Sequence, residues 1–151
     1  MKKLLIVSIF IAIGIFSQAY LVMAEDGQDT TAIKKTINNF YEAISKGDAN
    51  SAFAYITDDS YVYNPDKDSN SSLKNSLERL LNNTYIEYTD ISYDVSLSNL
   101  TINKENTEAS IDAQIKFKGF NNLVAEEKER VRERSFILIK KAGSWKIKYM
   151  E

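Results

Sequence analysis

The apolar residues of this chain change period once, and that change limits what it can fold into. Up to Leu81 they recur at three- and four-residue spacing, as on one face of a helix. From Ile91 onward they alternate with polar residues, as on one face of a strand. Helices that all precede the long strands cannot serve as crossovers between them. They gather instead on one face of a curved antiparallel sheet, an α+β arrangement.

Within the first half, Ile33, Ile37, Phe40, Tyr41 and Ile44 form one stripe between Thr30 and Lys46. Gly47 ends that helix as a C-cap, and Asp48 stands where the next N-cap belongs. Ala49, Ala52, Phe53 and Ile56 predict a second, shorter helix, followed by a turn at Thr57 to Ser60 and a short strand, Tyr61 to Asn64, closed by Pro65. Ser71 or Ser72 caps a third helix with Leu73, Leu77, Leu80 and Leu81 on one face, stopped at Asn82-Asn83.

In the second half, Ile91, Tyr93, Val95 and Leu97 alternate, and so do Ala109, Ile111, Ala113, Ile115 and Phe117. The phase is lost between Leu97 and Leu100, which predicts a bulge or a sharp bend. A two-residue loop at Ala142-Gly143 pairs Lys141 with Ser144, Lys140 with Trp145, Leu138 with Ile147 and Phe136 with Tyr149. The last three pairs then share a core face, and Ile137 and Ile139 lie on the other beside Lys146 and Lys148.

The first 24 residues have the layout of a secretory signal: Lys2 and Lys3, an apolar run from Leu4 to Phe16, and small residues at Val22-Met23-Ala24. Cleavage there starts the mature chain at Glu25, with Ala19 a second candidate, and leaves residues 25–151 as a single domain in a secreted, periplasmic or other extracytoplasmic setting. The alternative is that Leu4 to Ala24 is kept as an anchor, and membrane association is expected only in that case.

Without Lys2 and Lys3 the chain holds 17 basic against 21 acidic residues, which argues against nucleic acid as a partner. It has no cysteine, so an exported domain would rest on packing rather than on disulfides. It has no histidine either, which removes the commonest general base and the commonest transition-metal ligand together. Asp66, Asp68 and Asn70 are spaced like the opening of an EF-hand loop, but Ser71 stands where that loop needs Gly and Leu77 where it needs Glu. The stretch is read as a polar turn leading into a helix cap. Neither a metal nor a cofactor is expected. Asn70, Asn82 and Asn99 head glycosylation sequons that are read as chance in an Asn-rich chain.

Two segments carry a resemblance. The stretch FYEAISKGDANSAFAYITDDSYVYNP, from Phe40, resembles the opening of bacterial nuclear transport factor 2-like domains of the SnoaL-like kind, and FILIKKAGSWKIKYM, from Phe136, resembles their closing hairpin. The resemblance implies a cone-shaped fold in which three N-terminal helices close one side of the sheet around a pocket. It also implies pairing of two copies through the outer sheet face, where Ile137 and Ile139 lie.

The charged run from Glu126 to Ser135 bears on that pocket. As a strand it puts Lys128, Arg130, Arg132 and Arg134 on one side and Glu127, Glu129 and Glu133 on the other. If no bulge intervenes, the basic side continues into Phe136 and Leu138 and aims Arg134, with Arg132, at the pocket, where their forked donors suit a carboxylate or phosphate. The alternative is a solvated, charged strand end. Tyr41 and Tyr63 add phenols, completing the candidate ligand-binding set.

Enzymes of the superfamily that work without histidine aim carboxylates into the pocket: steroid isomerases pair two with a phenol, and epoxide hydrolases use an Asp-Arg-Asp set. Here Asp94 and Asp112 alternate with the apolar positions and so point away, and Asp58 and Asp59 fall in the predicted turn. The expectation is a non-catalytic module for a small anionic or apolar ligand, or for protein interaction. An isomerase, dehydratase or cyclase working through Tyr and carboxylate groups is the alternative.

Overall fold

The computed structural model describes residues 27–64 and 69–151, with only the backbone of Asn64. The expected signal or anchor at residues 1–24 lies outside the described residues, as do Pro65, Asp66 and Asp68. Among the described residues no helix is long and apolar enough to cross a membrane. The chain divides into two compact units, residues 1–31 and Ala32–Glu151. In the smaller one residues 27–31 are helical, and Thr31 Oγ1 donates to the Gly27 carbonyl.

Helix α1 (32–45) buries the predicted stripe, with Ile33, Ile37, Phe40, Tyr41 and Ile44 all in the core. Gly47 ends it at φ +69, its N–H donating to the Ile44 carbonyl while the Asp48 N–H reaches the Ala43 carbonyl. Asp48 caps α2 (Ala49–Phe53) by accepting from the Ser51 N–H. The α2 helix is shorter than its stripe predicts, because Ile56 opens strand β1 (Ile56–Asn64) instead of closing the helix.

The predicted turn at Thr57 to Ser60 is therefore not a turn. These residues stay extended beside strand β6 (Ser144–Met150), between the pairs Ile56 with Ile147 and Tyr61 with Tyr149, and β1 carries the extra residues as an irregularity. A strand that sequence periodicity did not reveal, β2 (Ser69–Ser72), pairs antiparallel with Tyr61 to Asn64. Helix α3 (Leu73–Glu87) starts with the Ser72 side chain accepting from the Asn75 N–H and runs past Asn82-Asn83. Tyr85 holds its last turn by donating from its hydroxyl to the Ile44 carbonyl. Leu73, Leu77 and Leu81 are buried, whereas Leu80 is exposed.

The remaining strands are β3 (Tyr88–Ile102), β4 (Glu108–Asn121) and β5 (Glu126–Lys141). The sheet order is β2-β1-β6-β5-β4-β3. All neighbours pair antiparallel except β1 and β6, which run parallel. The expected loss of phase in β3 is a shift in pairing between Ser98 and Thr101, with Asn99 at φ +53. A second shift, between Thr89 and Ser92, accompanies Asp90 at φ +52.

The closing hairpin turns at Ala142 and Gly143, both at positive φ, and pairs Lys141 with Ser144, Lys140 with Trp145 and Leu138 with Ile147. One predicted pair fails. A shift between Ile137 and Leu138 sets Phe136 opposite Met150 and Ile137 opposite Tyr149. The extra residue turns Tyr149 off the core face, where its ring lies 4.9 Å from that of Tyr61.

Candidate functional site

The core occupies the inner face of the sheet beneath α1, where Phe136, Leu138 and Ile147 are fully buried with Ile111 and Trp145. It does not reach the end of the sheet. Strand β5 pairs with β4 without a shift from Glu126 to Ile139, so its alternation is unbroken along its length. Phe136 faces Ile111, Arg134 faces Ala113, Arg132 faces Ile115 and Arg130 faces Phe117. Directly opposed residues of an antiparallel pair project to the same side. The arginines therefore share the inner face with Phe136, and the condition set by the sequence is met. Arg134 is half-buried, and Arg132 and Arg130 are exposed toward the open end.

Here the inner face borders a cavity of about 710 Å³. Its lining includes all four candidate residues, Tyr41, Tyr63, Arg132 and Arg134. Helix α1 contributes Phe40 and Ile44, and α3 contributes Leu77, Leu80 and Arg79. Strands β3 and β4 supply Tyr93, Ile115 and Phe117, and Met150 comes from the end of β6. The volume lies within the roughly 300–1,000 Å³ of small-molecule sites.

Aromatic rings in mutual contact form the wall. The Tyr41 ring lies 5.3 Å from Phe40, 5.4 Å from Tyr93 and 6.4 Å from Phe136, the first and last edge-on. Tyr93 in turn lies 5.5 Å from Phe117, which meets Tyr88 edge-on at 5.3 Å. Gly119 makes this last contact possible, since a Cβ there would come within 3.0 Å of Phe117 Cζ and 3.3 Å of Tyr88 Cδ1.

Burial pushes the Tyr41 phenol above its ordinary range, against a smaller downward pull from Arg134. Burial also pushes Tyr93 up to about 12, with Arg132 opposing. Both phenols are neutral hydrogen-bonding groups at neutral pH. Tyr41 Oη points at Met150 Sδ, 4.0 Å away, a weak acceptor that leaves the hydroxyl able to serve another.

The carboxylates behave as the alternation requires. Asp112, on the outer face, accepts from Asn99 Nδ2 at 2.9 Å and from Ser135 Oγ at 2.8 Å, and both bonds hold it below the usual carboxylate range. Glu129 pairs with Lys116 at 2.7 Å and lies 3.8 Å from Lys118. Asp59, expected in a turn, lies in β1 and pairs with Lys148. Among the described residues, the one carboxylate residue in the cavity lining, Glu133, stands between Arg132 and Arg134 on a strand whose alternation turns its side chain to the other face.

Sequence reasoning found two arginines and two tyrosines but missed Arg79, Arg130, Tyr88, Tyr93 and Phe117 as parts of one site. The alternation already put Arg130, Tyr93 and Phe117 on inward positions. What it lacked was the end of the core, which only the placement of α1 reveals.

A family model for the SnoaL-like domain matches residues 33–151. No curated protein matches the chain by sequence. Among solved structures, a ketosteroid isomerase-like protein from Erwinia carotovora atroseptica is 17% identical with a TM-score of 0.62, covering 80% of this chain and 91% of its own. A nuclear transport factor 2-like superfamily protein from Salmonella enterica serovar Typhimurium is 11% identical with a TM-score of 0.67, covering 83% and 90%. The association domain of Caenorhabditis elegans CaMKII is 15% identical with a TM-score of 0.69, covering 84% and 95%. At these identities the likeness is one of fold.

Proposed function

Because the chain belongs to the SnoaL-like domain family and has the nuclear transport factor 2-like fold, we propose that it is a non-catalytic module that binds a small molecule in its inner cavity. The observation that carries this reading is the ring-lined chamber beside Tyr41, closed at one end by the core and open at the other. Acid-base turnover would need a carboxylate aimed at the ligand beside the phenols. Asp94, Asp112, Glu129 and Glu133 alternate away from the chamber instead.

Thermal unfolding of the full-length chain, with and without a panel of aromatic and aliphatic small molecules, tests this reading. A ligand at about a hundred times its Kd stabilises the native state by about 2.7 kcal/mol, so a cavity ligand raises Tm by several degrees. Leu80→Trp, which fills the mouth from α3, abolishes that rise. A rise untouched by Leu80→Trp, or none with any compound, sinks the cavity as the site.

The outer face supports a second element of the proposal, the pairing of two copies. Ile137, Ile139, Tyr61 and Tyr149 lie there, all partly exposed, and apolar positions grouped on a sheet face are candidates for an interface. Sedimentation that finds a dimer, converted to a monomer by Ile137→Lys, agrees with this. The proposed setting is extracytoplasmic, on the strength of the signal-like first 24 residues. N-terminal sequencing of the protein from its native host tests that point, and a start at Glu25 is the expected result.

A further inference from the structure

Resting on the cavity being a small-molecule site, we propose that its ligand is an amphipathic dianion, with an apolar or aromatic body in the chamber and a head of the phosphate-monoester type across the arginines at the mouth. Arg130, Arg132 and Arg134 occupy alternate positions of one strand with no shift in pairing, so their side chains leave the same face about 7 Å apart. Arg79, on α3, lines the same cavity. Four cations line one cavity.

Among the described residues, none of the four guanidinium groups forms an ion pair; those found belong to lysines. The acids that alternate with the arginines along β5 project to the opposite face, and Glu129 there is engaged by Lys116 and Lys118. Like charges gathered with no ion pair among the described residues repel one another, and a bound anion relieves that repulsion. A single carboxylate is planar and matches one guanidinium fork. A tetrahedral phosphate offers oxygens in more than one plane, so two neighbouring forks can hold it together.

Across the sheet from the arginines the chamber changes character, since Phe117 faces Arg130 and Tyr93 faces Phe117. The rings of Tyr41, Tyr93 and Phe117 and the neutral hydroxyls of the two tyrosines line the cavity, which suits the uncharged body of the ligand and penalises a second buried charge. Polarity thus runs across the sheet, with the charged head on β5 and the body against β4 and β3.

Titration calorimetry of the full-length chain with naphthol, naphthoate and naphthyl phosphate tests the assignment. The three share one ring system and carry none, one and about two negative charges at neutral pH. Naphthyl phosphate is expected to bind about tenfold tighter than naphthoate, and naphthoate tighter than naphthol. Added salt weakens the phosphate ester selectively. Arg132→Gln costs the phosphate ester about tenfold and leaves naphthol within about twofold. Arg132→Lys, which keeps the charge and loses the fork, falls between. Lys118→Ala, on the other face, changes none of the three. Equal affinities, or a preference for naphthol, overturn the charge assignment and leave the cavity reading standing. Phosphate binding that ignores both Arg132 variants overturns it too. If none of the three binds, both readings fall.

Discussion

The two halves of β5 keep one alternation and both pair with β4, yet they do different work. From Phe136 onward the inward positions are apolar and fully buried, packed under α1. Before it, the inward positions are Arg134, which is half-buried, and Arg132 and Arg130, which are exposed. Pairing with β4 runs through both halves without a shift, and only the half from Phe136 onward also pairs with β6. The difference is cover: where the helix lies over the sheet, a charge would be stranded out of water, and where the helix stops, an arginine keeps its head wet while its stem lies on the sheet. The candidate site is therefore the place where the sheet outgrows its core.

The largest effect that could break this contrast is Phe136→Ala, expected to cost about 3–5 kcal/mol, whereas Arg134→Ala, two residues away on the same face, costs under about 1 kcal/mol. Chemical denaturation of both variants checks it, and equal losses would mean that the core extends through the arginines. A smaller effect comes from the hairpin that pins the register. Gly143 sits at φ +78, where a side chain is strained, so Gly143→Ala costs about 1–2 kcal/mol and leaves the ligand preference unchanged if the facing of β5 holds.

The smallest effect sharpens the contrast at the chamber end. A phenol whose pKa is raised on folding contributes fully below its unfolded value and loses that contribution as pH climbs toward the folded one. For Tyr93 the window runs from 10.0 to about 12. Across it the native chain loses stability that Tyr93→Phe retains, on the order of 1 kcal/mol once partial exposure is allowed for. Melting curves of the two proteins at stepped alkaline pH should diverge; parallel curves would place Tyr93 in water.

How far the sequence could be read follows the same division. The α1 stripe and the alternation of β4 are written in apolar residues whose burial enforces the pattern, so both were legible, and with them the facing of Arg132 and Arg134. Thr57 to Ser60 has the composition of a turn, but its course beside β6 keeps it extended, and neighbours outrank local preference. Ser69 to Ser72 carries no apolar signal at all, and only the backbone of Tyr61 to Asn64 makes it a strand. Asn82-Asn83 should stop a helix, yet the bond from Tyr85 to Ile44, remote in sequence, holds the turn beyond it. Tyr149 was misplaced because one extra residue in a short strand reverses every facing after it.

The left-handed residues of β3 bear on solubility. This 15-residue strand is the last of the sheet, and one of its sides offers backbone donors and acceptors that no strand among the described residues covers. A flat edge of that length would template the addition of strands from other molecules. Asp90 and Asn99 divide it, so that regular pairing is unbroken only from Ser92 to Ser98, a stretch whose outward positions are Ser92, Asp94, Ser96 and Ser98. Replacing Asn99 with a β-branched residue removes one of these breaks, and the chain then risks self-association through an edge that has nothing to do with its ligand.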